Sequence, residues 1–176
     1  SNETAVGKYP VEAVLEVKKV SKNVAPYVES TIKMNAPPLE FDVTSDILSK
    51  TVYLISKNKH VDKIVVISRT GYSVRLISRF KNSKEIIAIT TDPRVAKEVN
   101  LLYGVKSIVW EHPKNKLIEN AAMLCLDKGL IDKEDTVVFV AGVKTVKSHL
   151  TNLIEIHEMK DMLQFKNEQN TFIEDN

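Results

Sequence analysis

Three features of this sequence predict an α/β fold: a three-layer α/β/α arrangement on an about five-stranded, mostly parallel sheet with an antiparallel edge strand. Strand-like and helix-like stretches alternate from residue 44 onward, the rhythm of parallel strands joined by right-handed crossovers. The strand stretches, such as Ile64-Val65-Val66-Ile67 and Ile86-Ile87-Ala88-Ile89, are continuous apolar runs, as expected where both faces of a sheet are covered. The last connection, residues 142–150, is too short for a crossover helix, so the final strand is predicted to run antiparallel.

Taken in order, residues 9–33 read as one long helix or two abutting ones, with Pro10 tolerated in the first turn. Val11, Val14, Leu15 and Lys18 form one stripe; Val17, Val20, Val24 and Val28 form a second. Apolar residues on two sides predict a helix covered on more than one side. Pro26 is expected to kink or end it, and Asn35-Ala36-Pro37-Pro38 reads as a linker. Thr44 or Ser45 can cap a helix burying Ile47, Leu48, Thr51, Val52 and Ile55, with cations near its end at 57–60. A strand over 63–68 leads through a turn into a helix over 74–81, and a strand over 85–90 follows. Asp92 as N-cap with Pro93 behind it starts a helix to about Leu102, and Gly104 suits the position after its end. The remaining elements are a strand over 105–110, a helix over 114–128 stopped by Gly129, a strand over 136–141 and a last strand over 151–156. Beyond it, residues 160–176 suit a short docked helix and a frayed end.

Composition excludes more than it assigns. In 176 residues, 25 basic and 23 acidic side chains leave a net charge of +2, spread without blocks, which gives no reason to expect a nucleic-acid or membrane partner. No apolar run is long enough to span a bilayer, and the N-terminal residues lack the layout of a signal peptide, so a soluble cytoplasmic protein is expected. The single cysteine, Cys125, lies among apolar residues in a helical pattern and reads as a packed small hydrophobe.

The stretch with most chemical promise is Ser68-Arg69-Thr70-Gly71-Tyr72-Ser73, where a strand ends, a glycine turns the chain and a helix begins. Backbone N–H groups and the hydroxyls of Ser68, Thr70 and Ser73 converge in such a turn to make an anion cradle, and Arg69 adds positive charge. The bland reading is a tight turn at Gly71 with hydroxyls capping the helix. Neither the dinucleotide fingerprint nor the P-loop pattern is present. A second loop, carrying Gly142, Lys144, Lys147 and His149, leaves another strand end and would close over the first if the two strands are neighbours; otherwise it is a solvated turn. No paired carboxylates, no Ser-His or Cys-His set and no acidic cluster for magnesium are expected at the crevice, so no catalytic and no metal-ligating residues are assigned. Asp42 and Asp46 suit helix capping.

Glu3-Thr4-Ala5-Val6-Gly7-Lys8-Tyr9-Pro10-Val11-Glu12-Ala13-Val14 closely resembles the segment of pyruvate kinases that leads into the last helix of their catalytic barrel. The resemblance continues through Ile67 to Phe80, Ile87 to Asp92, Leu101 to Val105 and Thr151 to Ile156, covering roughly residues 3–159. It implies a division into a closing helical segment of the barrel (1–34), an α/β C-terminal domain (35–159) and an extension (160–176). The start at Ser1-Asn2, inside what the family treats as continuous barrel, leads us to expect an excised domain.

In that family the C-terminal domain is regulatory and oligomeric. The resemblance therefore implies allosteric phosphometabolite binding at Ser68, Arg69, Thr70, Gly71, Tyr72 and Ser73, with Gly142, Lys144, Lys147 and His149 as the lid, and subunit association, tetrameric in the parent. The expected partners are a phosphorylated sugar or nucleotide effector, the remainder of the enzyme and further copies of the chain. The parent reaction converts phosphoenolpyruvate and ADP to pyruvate and ATP; its catalytic lysine, magnesium ligands and potassium site belong to the barrel, so this chain is expected to be inactive alone and to hold no cofactor. Lys147-Ser148-His149-Leu150 stands where the family's lid is glycine-rich, Arg69 where Lys is frequent and Tyr72 where Arg is common. These departures point away from fructose bisphosphate and leave open a smaller phosphometabolite, a nucleoside monophosphate or no effector. A purely structural assembly domain and a free-standing phosphate-ligand-binding protein are the alternatives.

Overall fold

A computed structural model describes residues 2–31, 43–111, 115–142 and 151–164, residues 28–31 in their backbone only. The chain divides into two compact units, Ser1–Ala36 and Pro37–Asn176.

The first unit holds a short helix α1 (Asn2–Ala5) and the long helix α2 (Pro10–Thr31). Pro26 does not end α2, which runs on to Thr31. A proline removes one main-chain hydrogen bond, here the one to Lys22, and the neighbouring residues keep helical geometry. Within this unit Val11, Val14, Leu15, Val17, Val20 and Val24 are exposed, since neither α1 nor α2, its described elements, covers the two stripes.

The second unit opens with α3 (Val43–Ser56), followed by β1 (Lys63–Ile67), α4 (Tyr72–Ser78), β2 (Glu85–Thr90), α5 (Pro93–Val99), β3 (Val105–Val109), α6 (Leu117–Asp127), β4 (Thr136–Ala141) and β5 (Leu153–Glu158). The sheet order is β3-β2-β1-β4-β5, with β1, β2, β3 and β4 parallel and β5 antiparallel on β4, as expected. Because side chains alternate across a strand, each run feeds two cores. Val65, Ile67, Ile87, Ile89, Val137 and Phe139 face α6, meeting Ile118, Ala121 and Cys125. Ile64, Val66, Ile86, Ala88, Val138 and Val140 face the other way onto Val52 of α3, Val74 and Ile77 of α4 and Val99 of α5. Two covered faces make three layers. At the opposite end of the sheet from the strand C-termini, Glu85 receives Lys63 and Lys106 at 2.7 Å each, tying three strands together.

Several boundaries differ from expectation. Helix α4 begins at Tyr72 rather than Val74, since the turn needs only Gly71. The last strand is shifted by two residues, because pairing runs from Ala141 opposite Leu153 to Thr136 opposite Glu158. Residues 159–164 are helical, with Met159 buried in the α6-side core.

The face that α3 buries is rotated from expectation: Val52 is buried and Ile55 packs against the core as expected, but Ile47 is 57% exposed and Ser45, Asp46, Ser49, Tyr53 and Ser56 also point inward. Both sets recur at helical spacing; the polar one is tolerated because Asp46, Ser49 and Ser56 find partners inside. Ser49 Oγ donates to the Asp46 carbonyl at 2.8 Å and Ser56 Oγ to that of Tyr53 at 2.7 Å. Small side chains that bond back to their own helix let α3 approach α4 closely. Asp46, read from sequence as a capping residue, is instead 1% exposed; it accepts from Arg79 of the turn after α4 and pairs with Lys50 at 2.8 Å.

Candidate functional site at the C-terminal ends of β1 and β4

The chain builds β1, β2 and β3 outward in one direction, then returns to place β4 on the other side of β1. The helix that follows β1, α4, and the helix that precedes β4, α6, lie on opposite faces of the sheet, so the C-terminal ends of β1 and β4 form a switch point, the place where open α/β sheets receive ligands. The loop 68–73 leaves β1 at this switch point, and Gly142 follows β4 beside it.

Gly71 sets the loop's shape. Its φ of 72° is the left-handed conformation that residues with a Cβ rarely adopt, and a Cβ there would lie 2.8 Å from Val99 Cγ1 and 2.9 Å from Arg75 Nη1. The loop backbone is thereby pressed against α5. Thr90 Oγ1, at the end of β2, donates to the Arg69 carbonyl at 3.2 Å, and Ser68 N donates to the Ile89 carbonyl at 2.9 Å, pinning the loop's start to the neighbouring strand.

The six predicted residues divide by exposure. Arg69 and Thr70 are exposed, Ser68 and Tyr72 half-buried, Gly71 and Ser73 buried. Thr70 Oγ1 accepts from Tyr72 N at 3.4 Å, and the α4 N-terminus has no side-chain cap bond from Gly71. Ser73 does not present its hydroxyl to the loop alone: Ser73 Oγ is hydrogen-bonded to Thr151 Oγ1, just ahead of β5. Of the second loop, Gly142 is exposed, while Lys144, Lys147 and His149 lie outside the described residues.

Two neighbours of the loop were not singled out in the sequence. Arg75 Nη1 donates to the Thr70 carbonyl at 3.1 Å and Nη2 to Glu98 Oε2 of α5 at 2.7 Å, placing a guanidinium behind the loop. Its spacing of four from Gly71 on a helix was the available signal. Thr151 was assigned to a strand, and only the strand order brings it to α4.

The electrostatics around this frame are those of a scaffold. Hydrogen bonding from Lys50, with help from Arg79, holds the Asp46 carboxyl below the usual carboxylate range despite its burial. Burial acts to raise Glu85, yet hydrogen bonds from Lys106 and Lys63 outweigh it and hold that carboxyl low. Burial pushes the Cys125 thiol up to about 12. Among the described residues, no three His, Cys, Asp or Glu side chains come together as a metal would require. No described helix is long and apolar enough to cross a membrane.

Comparison with known proteins places this geometry. The family model for "Pyruvate kinase, alpha/beta domain" matches residues 45–157. The pyruvate kinase of Staphylococcus epidermidis is 30% identical over 170 residues, which is 92% of this chain and 28% of that protein. That of Lactococcus lactis is 28% identical over 162 residues, 91% of this chain and 32% of that protein. A crystal structure of a pyruvate kinase from Cryptosporidium parvum superposes with a TM-score of 0.70 at 28% identity, covering 89% of this chain and 32% of that one. The Cryptosporidium parvum enzyme in complex with ADP gives 0.67 over the same shares. The chain thus spans about a third or less of the length of the relatives it matches.

Proposed function

The chain belongs to the pyruvate kinase family, as its C-terminal alpha/beta domain, and from that premise we propose that it serves regulation and assembly rather than chemistry. In this reading the loop 68–73 holds the phosphate of a small phosphorylated effector, and copies of the domain associate in a tetramer of the parent. The parent converts phosphoenolpyruvate and ADP to pyruvate and ATP in the cytoplasm with magnesium and potassium bound elsewhere; this chain alone transfers no phosphate. The observation that carries the reading is the loop's place and form: a left-handed glycine at the switch point, with Arg69 and Thr70 exposed and Ser68 half-buried around it. An effector bound there acts by favouring one quaternary arrangement, and couplings of about 1–3 kcal/mol suffice for a several-fold change in substrate affinity.

Titration of the isotope-labelled chain with inorganic phosphate and phosphate monoesters tests it. Amides of residues 68–73 are expected to shift, and Thr70→Asp, which places a like charge in the loop, is expected to abolish the shifts. Perturbation clustered elsewhere overturns the assignment. A second reading, assembly without any ligand, is favoured by the edge strands β3 and β5, which pair on one side only among the described residues, the latter with Ile156 51% exposed. Self-association in sedimentation with no phosphate binding supports that reading instead.

A further inference from the structure

Charges that are mixed along the chain are sorted by the fold at one end of the sheet. Strands β1, β2, β3 and β4 run parallel, so the connections leading into them lie at the end opposite the loop 68–73, and antiparallel β5 finishes there too. Across the β3, β2 and β1 half, this end carries Lys57, Lys59, Lys63, Lys81, Lys84 and Lys106. The acids beside them are already engaged: Glu85 holds Lys63 and Lys106, and Asp62 Oδ2, at the border, accepts from Thr136 N at 3.0 Å. Across the β4 and β5 half stand Asp132, Glu134, Asp135, Glu158 and Asp161, offset in part by Lys133 and Lys160. Lys59 and Lys81 on one side, and Asp132, Glu134, Glu158 and Asp161 on the other, are exposed and make no ion pair among the described residues. In a chain of net charge +2 this is separation of charge rather than excess of one sign.

Resting on the assembly half of the reading above, and naming a surface for it, we propose that this end of the sheet docks on the same end of a second copy of the chain. The two-fold axis is perpendicular to the sheet and passes between β1 and β4. A closed pair sets one patch against the same patch of its copy, so the patch must complement itself. Two copies can meet end to end in two ways. Rotation about an axis lying along the width of the sheet sets lysines against lysines and acids against acids. Rotation about the sheet normal exchanges left and right, so the lysine half of each copy meets the acidic half of the other, and does so twice. Juxtaposed like charges are strongly disfavoured and opposed ones fix register and speed encounter, so the charge pattern selects the second arrangement. Neither edge strand takes part, and the loop 68–73 lies at the far end of each copy.

The experiment is sedimentation of the full 176-residue chain in low salt and in about 1 M sodium chloride, where the Debye length falls to about 3 Å. A dimer is expected at low salt, with a dissociation constant that rises at least about tenfold at high salt. Two charge-reversed chains sharpen the test: one carries Lys59→Glu, Lys81→Glu and Lys84→Glu, the other Glu134→Lys, Glu158→Lys and Asp161→Lys. Each alone is expected to pair at least about tenfold more weakly, since its altered half meets like charge. Their equimolar mixture is expected to pair again, because the unaltered halves match as before and the altered halves carry opposite signs at the changed positions. Damage to either fold would not produce that recovery. If a triple variant fails to fold by circular dichroism, Lys59→Glu and Glu134→Lys carry the same comparison. Reversed chains that pair with themselves as tightly as the unaltered one, or folded variants whose mixture stays apart, overturn the proposal. Association that neither salt nor reversal changes also overturns it, while assembly through another surface stands. A monomer at every salt concentration defeats the assembly reading for this chain as well.

Discussion

Replacing Gly71 by alanine separates two costs that the structure assigns to different glycines. At Gly71 the new Cβ meets both a left-handed backbone, φ 72°, and a wall: Val99 Cγ1 at 2.8 Å, Arg75 Nη1 at 2.9 Å and Val95 Cγ1 at 3.0 Å. At Gly129 the backbone is equally left-handed, φ 62°, but nothing lies within 4 Å. The conformational cost is about 1–2 kcal/mol at either position. Only Gly71 adds overpacking, about 1–3 kcal/mol, since the valines belong to α5 and cannot move away without opening its contact with the sheet. Gly129→Ala is therefore expected to lose about 1–2 kcal/mol and Gly71→Ala roughly 2–5 kcal/mol. Urea unfolding followed by circular dichroism measures both, with the slope against denaturant required to stay constant so that the midpoint reports stability. Equal losses at the two glycines, or a larger one at Gly129, would refute the claim that the site loop is pressed against α5.

Other expectations follow from groups already described. Asp46→Asn is expected to cost roughly 2–3 kcal/mol at neutral pH, because Arg79 and Lys50 lose their buried anion. Asp46 has a folded pKa below its unfolded value of about 3.9, so its contribution is present above that pH and is lost as pH falls through the folded value. Stability curves of the parent and Asp46→Asn should run parallel above about pH 5 and converge in acid; a gap unchanged down to pH 2 contradicts this. Cys125, 0% exposed and with its thiol pushed up to about 12, should react with a thiol reagent only as fast as the fold opens, and rapid labelling of the native chain would contradict its burial. Phe139→Ala, in the centre of the α6-side core at 0% exposure, should cost about 3–5 kcal/mol by thermal or urea unfolding.

Where one physical rule governed a stretch, that stretch was legible. Continuous β-branched runs marked β2 and β4 to the residue, and Asp92 with Pro93 marked the start of α5, where Asp92 Oδ1 accepts from Arg94 N at 2.7 Å. The short link after β4 announced the antiparallel edge. Where two rules competed, periodicity misled. Helix α3 carries an apolar stripe and a serine stripe at the same spacing; of the expected stripe Val52 is buried and Ile55 packs against the core, but Ile47 is exposed and Ser45, Asp46, Ser49 and Ser56 take the inner positions that a preference for burying carbon does not foresee. What decided it was a partner 33 positions away, Arg79, which no local window contains. The same limit hid Thr151: the turn at Gly71 could be read from a few residues, but the hydroxyl that meets Ser73 arrives through the strand order.

That strand order has a consequence in time as well as in space. Strand β1 meets β2 through the single crossover that holds α4, Lys63 and Glu85 being 22 residues apart, whereas Asp62 and Thr136, at the start of the β1–β4 seam, are 74 apart. Closing the longer loop costs about 1 kcal/mol more chain entropy, and contacts of high sequence separation slow folding. The β1–β2 pair is thus expected to assemble first and the β4 side to arrive later, bringing β5 and Thr151 with it. The crevice between β1 and β4 is the youngest part of the folding chain. A nascent or partly unfolded domain can possess the turn at Gly71 before β4 and Thr151 arrive, so under the proposed function phosphate binding at the loop is expected only once folding is complete.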